Sequence, residues 1–280
     1  MTLKTLELGS DEPRKKIIIA AKDIDKPLWR AARANVYDYA RVRNAFSLYR
    51  EVKANADVWT EADKHIHFSR GNVKTGELWS YSTVPLLTCM QHGTAPKCAT
   101  CGICYALKDM IYAQVRTNEV YNTVLIQKYP SVFREELALL NGKGKLHRGH
   151  VEGDLVNTFE LDSINECVTT PFLNFTKRYD MVARYLRDHA LNDQLHLLIS
   201  EDVEGKGKRE MYNPYNLPVF HICPTVRSYL NAHCDHMCGS IRELKSGDFE
   251  FTLGNCKHCM ENHCGCFAAK RGEIVGCLAH

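Results

Sequence analysis

Apolar residues recur along this chain with two different spacings, and the way those spacings alternate defines its predicted elements. From Pro27 to about Ala54 the positions Leu28, Ala32, Val36, Tyr39, Val42, Phe46 and Tyr49 return every three to four residues. That is the period of a helix with one buried face, and Pro27 suits its first turn. Ahead of it, KIIIAA from Lys16 reads as a strand. FSRGNVKTGELWSYSTVPLLTC, Phe68 to Cys89, is broken at Gly71-Asn72 and Gly76 and then predicts a strand-like run into Cys89. Tyr105 to about Leu140 predicts two or three helices, interrupted at Pro130 and stopped at Asn141-Gly142. Further on, KLHRGHV precedes a polar turn at Glu152-Gly153-Asp154, and FLNFT precedes the helical RYDMVARYLRDH. LHLLIS and LPVFHIC follow at similar intervals. Short strands alternating with helices predict a parallel sheet with crossover helices. From Asn231 onward the periodicity fades into a cysteine-rich tail, and no internal repeat or low-complexity segment is visible.

Composition narrows the class without naming a reaction. Of 280 residues, 45% are apolar and 25% charged, which is ordinary for a soluble globular protein. The formal charge of +3 is too small to argue for a dedicated nucleic-acid binder, though it leaves a nucleic-acid partner possible. The N-terminal stretch MTLKTLELGSDEPRKK has no apolar targeting core. The early apolar run Ile17 to Ala21 is far shorter than the ~20 residues of a membrane helix. These features predict a cytoplasmic protein with no membrane partner. Thiols stay reduced in that compartment, so paired cysteines there point to metal rather than disulfides. The odd total of 13 cysteines points the same way.

The cysteines form two groups. KCATCGICYA sets Cys98, Cys101 and Cys104 at C-x2-C-x2-C spacing, with Cys89 a short distance upstream. Spacing this tight suits iron–sulfur ligation, and three thiolates leave one iron of a [4Fe-4S] cube open to a substrate or cofactor. Completion of the site by Cys89 or a tail cysteine would instead give a closed four-thiolate centre. NCKHCMENHCGC packs Cys256, Cys259, Cys264 and Cys266 into a dozen residues, and Cys234 and Cys238 precede it. Structural zinc and a second cluster are both open for this tail, since grouped thiolates select either.

Taken in order, FSRGNVKTGELWSYSTVPLLTC, CGICYALK, HRGHVEGDL, FLNFTKRYDMVARYL, LLIS and NPYNLPVFHI, closing with the cysteine-rich tail, resemble the phage and prophage gene product 88 family. A cysteine triad ending in CYA, followed by helix, strand, a Gly/acid turn and further βα units, is also similar to the radical S-adenosylmethionine enzymes. Here the triad is C-x2-C-x2-C where those enzymes have C-x3-C-x2-C, and Ile103 stands where an aromatic residue is usual. The resemblance implies an α/β fold, a partial (βα) barrel of mainly parallel strands. The chain then divides into an expected helical extension over 1–66, a barrel-like core over 67–230 holding the first cysteine group, and a metal-binding tail over 231–280. The resemblance further implies a [4Fe-4S] cluster on Cys98, Cys101 and Cys104, with S-adenosylmethionine on its open iron. Glu152, Gly153 and Asp154 would form the turn that receives the methionine ammonium. The tail cysteines would hold a second cluster or zinc, and an electron donor such as flavodoxin or ferredoxin would supply the reducing equivalent.

Two other classes remain open from the residues. Asp154, Glu160 and Lys177 offer an acid-acid-lysine set of the kind found in nucleases, with KGKLHRGH as the basic stretch nearest to a phosphate-binding segment. A non-catalytic accessory protein whose zinc fastens the tail to the body also accounts for the thiols, because structural metal contributes folding energy directly.

Overall fold

Strands covered on both faces are short and nearly continuous in apolar residues, and FLNFT and LHLLIS are of this kind. The computed structural model describes residues 16–26, 36–72, 75–89, 106–201 and 213–278. Eleven strands occur among the described residues. β1 (Lys16–Ile19) belongs to a small antiparallel sheet with β9 (Ser240–Glu243) and β10 (Phe249–Thr252), in the order β1-β10-β9. The other eight are β2 (Ser69–Asn72), β3 (Gly76–Ser80), β4 (Leu146–Arg148), β5 (Phe172–Thr176), β6 (Leu195–Glu201), β7 (Val219–Cys223), β8 (His236–Cys238) and β11 (Ile274–Leu278). They form one curled half-barrel sheet, ordered β2-β3-β4-β5-β6-β7-β11-β8. Only the β2–β3 hairpin is antiparallel; the remaining neighbours run parallel.

Eight α-helices are described: α1 (Val36–Asn55), α2 (Ala106–Asp109), α3 (Ala113–Lys128), α4 (Pro130–Gly142), α5 (Thr158–Cys167), α6 (Tyr179–Asp188), α7 (Val226–Asn231) and α8 (Cys256–Glu261). Side chains alternate between the two faces of a strand, and here each face has its own cover. On the outer face Phe172, Leu197, Ile199 and Val219 pack with Phe133 and Leu137 of α4, Leu161 and Ile164 of α5, and Met181 and Tyr185 of α6. On the inner face Leu173, Leu198 and Val275 pack with Cys266 and Phe267 from the C-terminal region. A separate apolar cluster joins Val42, Ala45 and Val52 of α1 to Val120 and Val124 of α3, so the N-terminal helix docks on its own chain.

The predicted strands at KIII, KLHR, FLNFT, LHLLIS and VFHIC are all present, and so is the helical RYDMVARYLRD. Pro130 opens α4 rather than merely interrupting a helix, because a missing N–H costs nothing in a first turn. Two expectations are corrected. The run into Cys89 is not a strand: β3 ends at Ser80, and Pro85 to Cys89 form turns. The C-terminal region is not a tail set apart from the core: β11 inserts between β7 and β8, and β10 pairs with β1 from the opposite end of the chain. Its periodicity was hidden because β8 has only three residues and β11 is interrupted by Gly276. No helix among the described residues is long and apolar enough to cross a membrane.

Phe172 is fully buried between β6 and the helices of the outer face. Phe172→Ala is expected to lower stability by about 3–5 kcal/mol, read as a shift of the chemical denaturation midpoint at unchanged slope.

Candidate functional site at the C-terminal edge of the parallel strands

Open α/β sheets bind ligands beyond the C-terminal ends of their parallel strands, and the polar residues of this chain collect there. Past β3 the chain runs through Tyr81, Thr83 and Thr88, and past β4 it turns through His150, Glu152 and Asp154. Past β5 come Lys177 and Arg178. The turn after β4 is docked on the segment after β3 by backbone and hydroxyl contacts. Thr83 N donates to Glu152 O at 3.2 Å and Glu152 N to Ser82 Oγ at 3.1 Å. Asp154 N lies 2.8 Å from Thr88 Oγ1, while Thr83 Oγ1 donates to Asp154 O at 2.9 Å. Gly153 makes this approach possible, since it sits at φ +76° and a Cβ there would overlap the Thr83 carbonyl.

Asp154 is consumed by the fold. Its Oδ1 accepts from Thr176 Oγ1 and Leu155 N, and its Oδ2 from Lys177 N, each at 2.7 Å. Burial raises its pKa, and the Lys177 amide, His150 and Thr176 oppose that rise. The buried Arg178 guanidinium donates to the carbonyls of Thr88 at 3.2 Å and Leu155 at 2.7 Å, tying the segment after β3 to that after β4. Behind this edge, Glu160 accepts from Tyr81 Oη at 2.8 Å and from Val156 N at 2.6 Å, and His150 Nε2 stands 2.9 Å away. Burial disfavours an imidazolium at His150, but Glu160, Asp154 and Asn174 outweigh it and hold its pKa above the ordinary value. Tyr81 is pushed far up by burial and by Glu160 beside it. The acid-acid-lysine set is thus not presented to a ligand, because both carboxylates are occupied by protein donors.

A second acidic group carries no such compensation. Glu119 of α3 and Glu152 are 2% and 8% exposed, and their carboxyls face one another, with Asp109 of α2 also against Glu152. Both oxygens of Glu119 and Oε2 of Glu152 receive no hydrogen bond from another donor group among the described residues. Two carboxylates cannot donate to each other, so the contact needs a proton on one of them. Burial first, then each other's charge at Glu152 and the Asp109 carboxylate at both, pushes their pKa values up.

The thiols of the C-terminal region gather on the inner face. Cys266, packed against Leu173, Leu198 and Val275, lies within electrostatic reach of Cys238, Cys256 and Cys264, and Cys259 is hydrogen-bonded to Cys264. Arg148 of β4 donates to Cys256 Sγ at 3.1 Å. Cys238 Sγ fits because Gly254 has no Cβ; one would stand 2.5 Å away. The hydrogen bond that the Cys259 thiol makes to Cys264, and burial, raise Cys259, while burial and the neighbouring sulfurs raise Cys266. Five soft donors in one nest suit a thiophilic metal in type and proximity. No three His, Cys, Asp or Glu among the described residues already stand at ligand geometry. Metal uptake there therefore requires the thiols to converge and lose protons.

The remaining sequence-derived residues divide as follows. Cys98, Cys101 and Cys104 lie outside the described residues, whereas Cys89 is the last described residue before them and Ala106 the first after. Cys234 does not join the nest: its sulfur sits over Gly276, on the outer face. Sequence reasoning missed Tyr81, Glu119, His150 and Arg178. The signal for His150 was in HRGHVEGD, where it begins the turn after β4. Glu119 looks like any helical surface glutamate until α3 is packed.

A sequence model of the family described as gene product 88 matches residues 51–270. The chain belongs to the gene product 88 family. That match spans both cysteine groups and the whole edge from Tyr81 to Arg178. No curated protein and no solved structure matches this family member.

The raised carboxyl pair fixes a pH dependence. In the unfolded chain Glu119 ionises near its ordinary value, 4.5, whereas the folded protein keeps the proton to higher pH. The folded state then binds more protons, so stability falls as pH rises through that interval. Glu119→Gln should flatten this fall and leave the variant more heat-stable than the parent at neutral pH; a thermal midpoint series across pH 5–8 checks it.

Proposed function

We propose that this gene product 88 family member is an iron–sulfur enzyme of the radical S-adenosylmethionine type, with the cluster on Cys98, Cys101 and Cys104. The observation that carries the reading is topological. In sequence the triad lies between β3, the first of the parallel strands, and α2, and the Glu152-Gly153-Asp154 turn past the next strand is hydrogen-bonded to the described residues that follow β3. A triad and an acidic turn serving one cofactor would need their two connections to run together, and the described residues after β3 do meet the turn after β4, although they are far apart in sequence.

Cys98, Cys101 and Cys104 would hold a cluster that, when bound and reduced, would supply one electron for the reductive cleavage of S-adenosylmethionine. The protein residues bind and orient. Glu152 receives the methionine ammonium, exchanging the proton it shares with Glu119 for an external cation. Asp154 positions that turn through Thr176 and Lys177 and does not touch the ligand. Arg178 anchors the base of the cysteine segment. A one-electron donor of the flavodoxin or ferredoxin type supplies the reducing equivalent to an enzyme acting on a substrate yet to be identified. For the nest around Cys266, a structural metal is the second reading, favoured by its packing against Leu173, Leu198 and Val275. Zinc and a second cluster both satisfy the donor set.

The test is anaerobic purification with iron, sulfide and zinc analysis, followed by incubation with S-adenosylmethionine and a strong reductant. Brown protein with iron and sulfide, and release of 5′-deoxyadenosine, is the expected result. Cys104→Ala should remove that cluster while iron or zinc in the nest persists. Glu152→Gln should weaken S-adenosylmethionine binding by a charge-assisted hydrogen bond, about 1.5–3 kcal/mol or roughly ten- to a hundredfold. Colourless protein with stoichiometric zinc and no cofactor cleavage would eliminate the enzyme reading and leave an accessory protein stapled by metal. Iron-loaded protein that cuts DNA with Mg²⁺ or Mn²⁺ but leaves the cofactor intact would place it with the nucleases.

A further inference from the structure

The sheet divides the C-terminal sulfurs by strand parity. Cys238 and Cys277 are register partners on the inner face with Val275, whereas Gly276 points outward between His221 of β7 and Met237 of β8. Gly276 leaves a gap in that outer surface, and two sulfurs fill it. Cys234 Sγ lies 2.8 Å and Met237 Sδ 3.1 Å from the point where a Cβ on Gly276 would stand.

Sulfur over a glycine can be plain apolar packing. The histidine beside it is not explained that way. His221 Nδ1 stands 2.8 Å from Glu201 Oε2, and the Glu201 side chain is fully buried. A buried carboxylate on one ring nitrogen sets the tautomer and leaves the other, Nε2, as the lone-pair nitrogen, as occurs behind metal-ligating histidines. The imidazole of β7 and the thioether of β8 thus flank Gly276 on one face, and the thiol of Cys234, from the connection leading into β8, lies over it.

We propose that Cys234, Met237 and His221 form a site for a soft monovalent metal ion of the Cu(I) class, separate from the thiol nest on the other face. A thioether ligand selects such an ion over zinc, which takes four harder or anionic donors. Charge agrees as well: one thiolate neutralises one monovalent cation, so a half-buried site gains no net charge. The site is independent of the function proposed for the cysteine triad.

The full-length reduced protein, held anaerobically, would be titrated with Cu(I) against a chromophoric Cu(I) chelator. Because the thiols of the nest are also soft donors, the readout is a difference between variants. Met237→Leu preserves volume and apolarity and should hold one equivalent fewer at chelator concentrations where the parent retains it, a loss of at least about tenfold in affinity. Cys256→Ser, which disturbs the nest, should keep that equivalent. Cu X-ray absorption on Cys256→Ser should show nitrogen together with sulfur. Where Met237→Leu fails to fold, His221→Gln is read in the same way. Equal Cu(I) retention by the parent and a folded Met237→Leu or His221→Gln protein, or copper bound by sulfur alone in Cys256→Ser, would overturn the assignment.

Discussion

The arrangement of the C-terminal edge depends on one constraint: buried polar groups must find partners. Thr83 and Thr88 follow β3, Asp154 follows β4, and Thr176 and Arg178 stand at and just past the end of β5; each satisfies a group belonging to another of these segments. The residues are buried, so breaking one contact strands its partner in a low-dielectric setting. This mutual dependence holds the Glu152-Gly153-Asp154 turn against the base of the cysteine segment. The parallel strands alone would leave those connections free to diverge.

Two acidic groups sit within this framework and are neutralised in different ways. Glu160 has an imidazole, a phenol and an amide around it, so its charge is met by the protein. Among the described residues Glu119 and Glu152 face each other and Asp109, with no donor to their free oxygens, so their charge is met by a proton. The first arrangement stiffens the edge behind the site. The second leaves an acidic contact whose shared proton an incoming cation would displace, which is why the proposed function gives the ligand contact to Glu152 rather than Asp154.

Sulfur placement follows the alternation of side chains along strands. Cys238 and Met237 are consecutive, yet they face opposite sides of the sheet, one toward the nest and the other toward Gly276. A cysteine-rich stretch that looks like one metal-binding unit is thereby split into two chemically different neighbourhoods. The nest is buried among apolar side chains of the strands, so its thiols bear on folding as well as on any metal.

The amino-acid pattern by itself determined the parallel strands and most helices, because period-2 and period-3.6 apolar spacing and Pro130, Gly142 and Asp154-type punctuation act locally. It also exposed the two cysteine groups and the acidic turn, since their spacing is short. Tertiary structure alone decided that β11 enters the sheet between β7 and β8, that Glu119 meets Glu152, and that Cys234 parts from Cys238. It likewise decided that Asp154 is spent on Thr176 and Lys177. Each of these outcomes depends on strand register or on contact between segments tens of residues apart. A register slip of one residue would reverse the face of every side chain, and no local pattern encodes it.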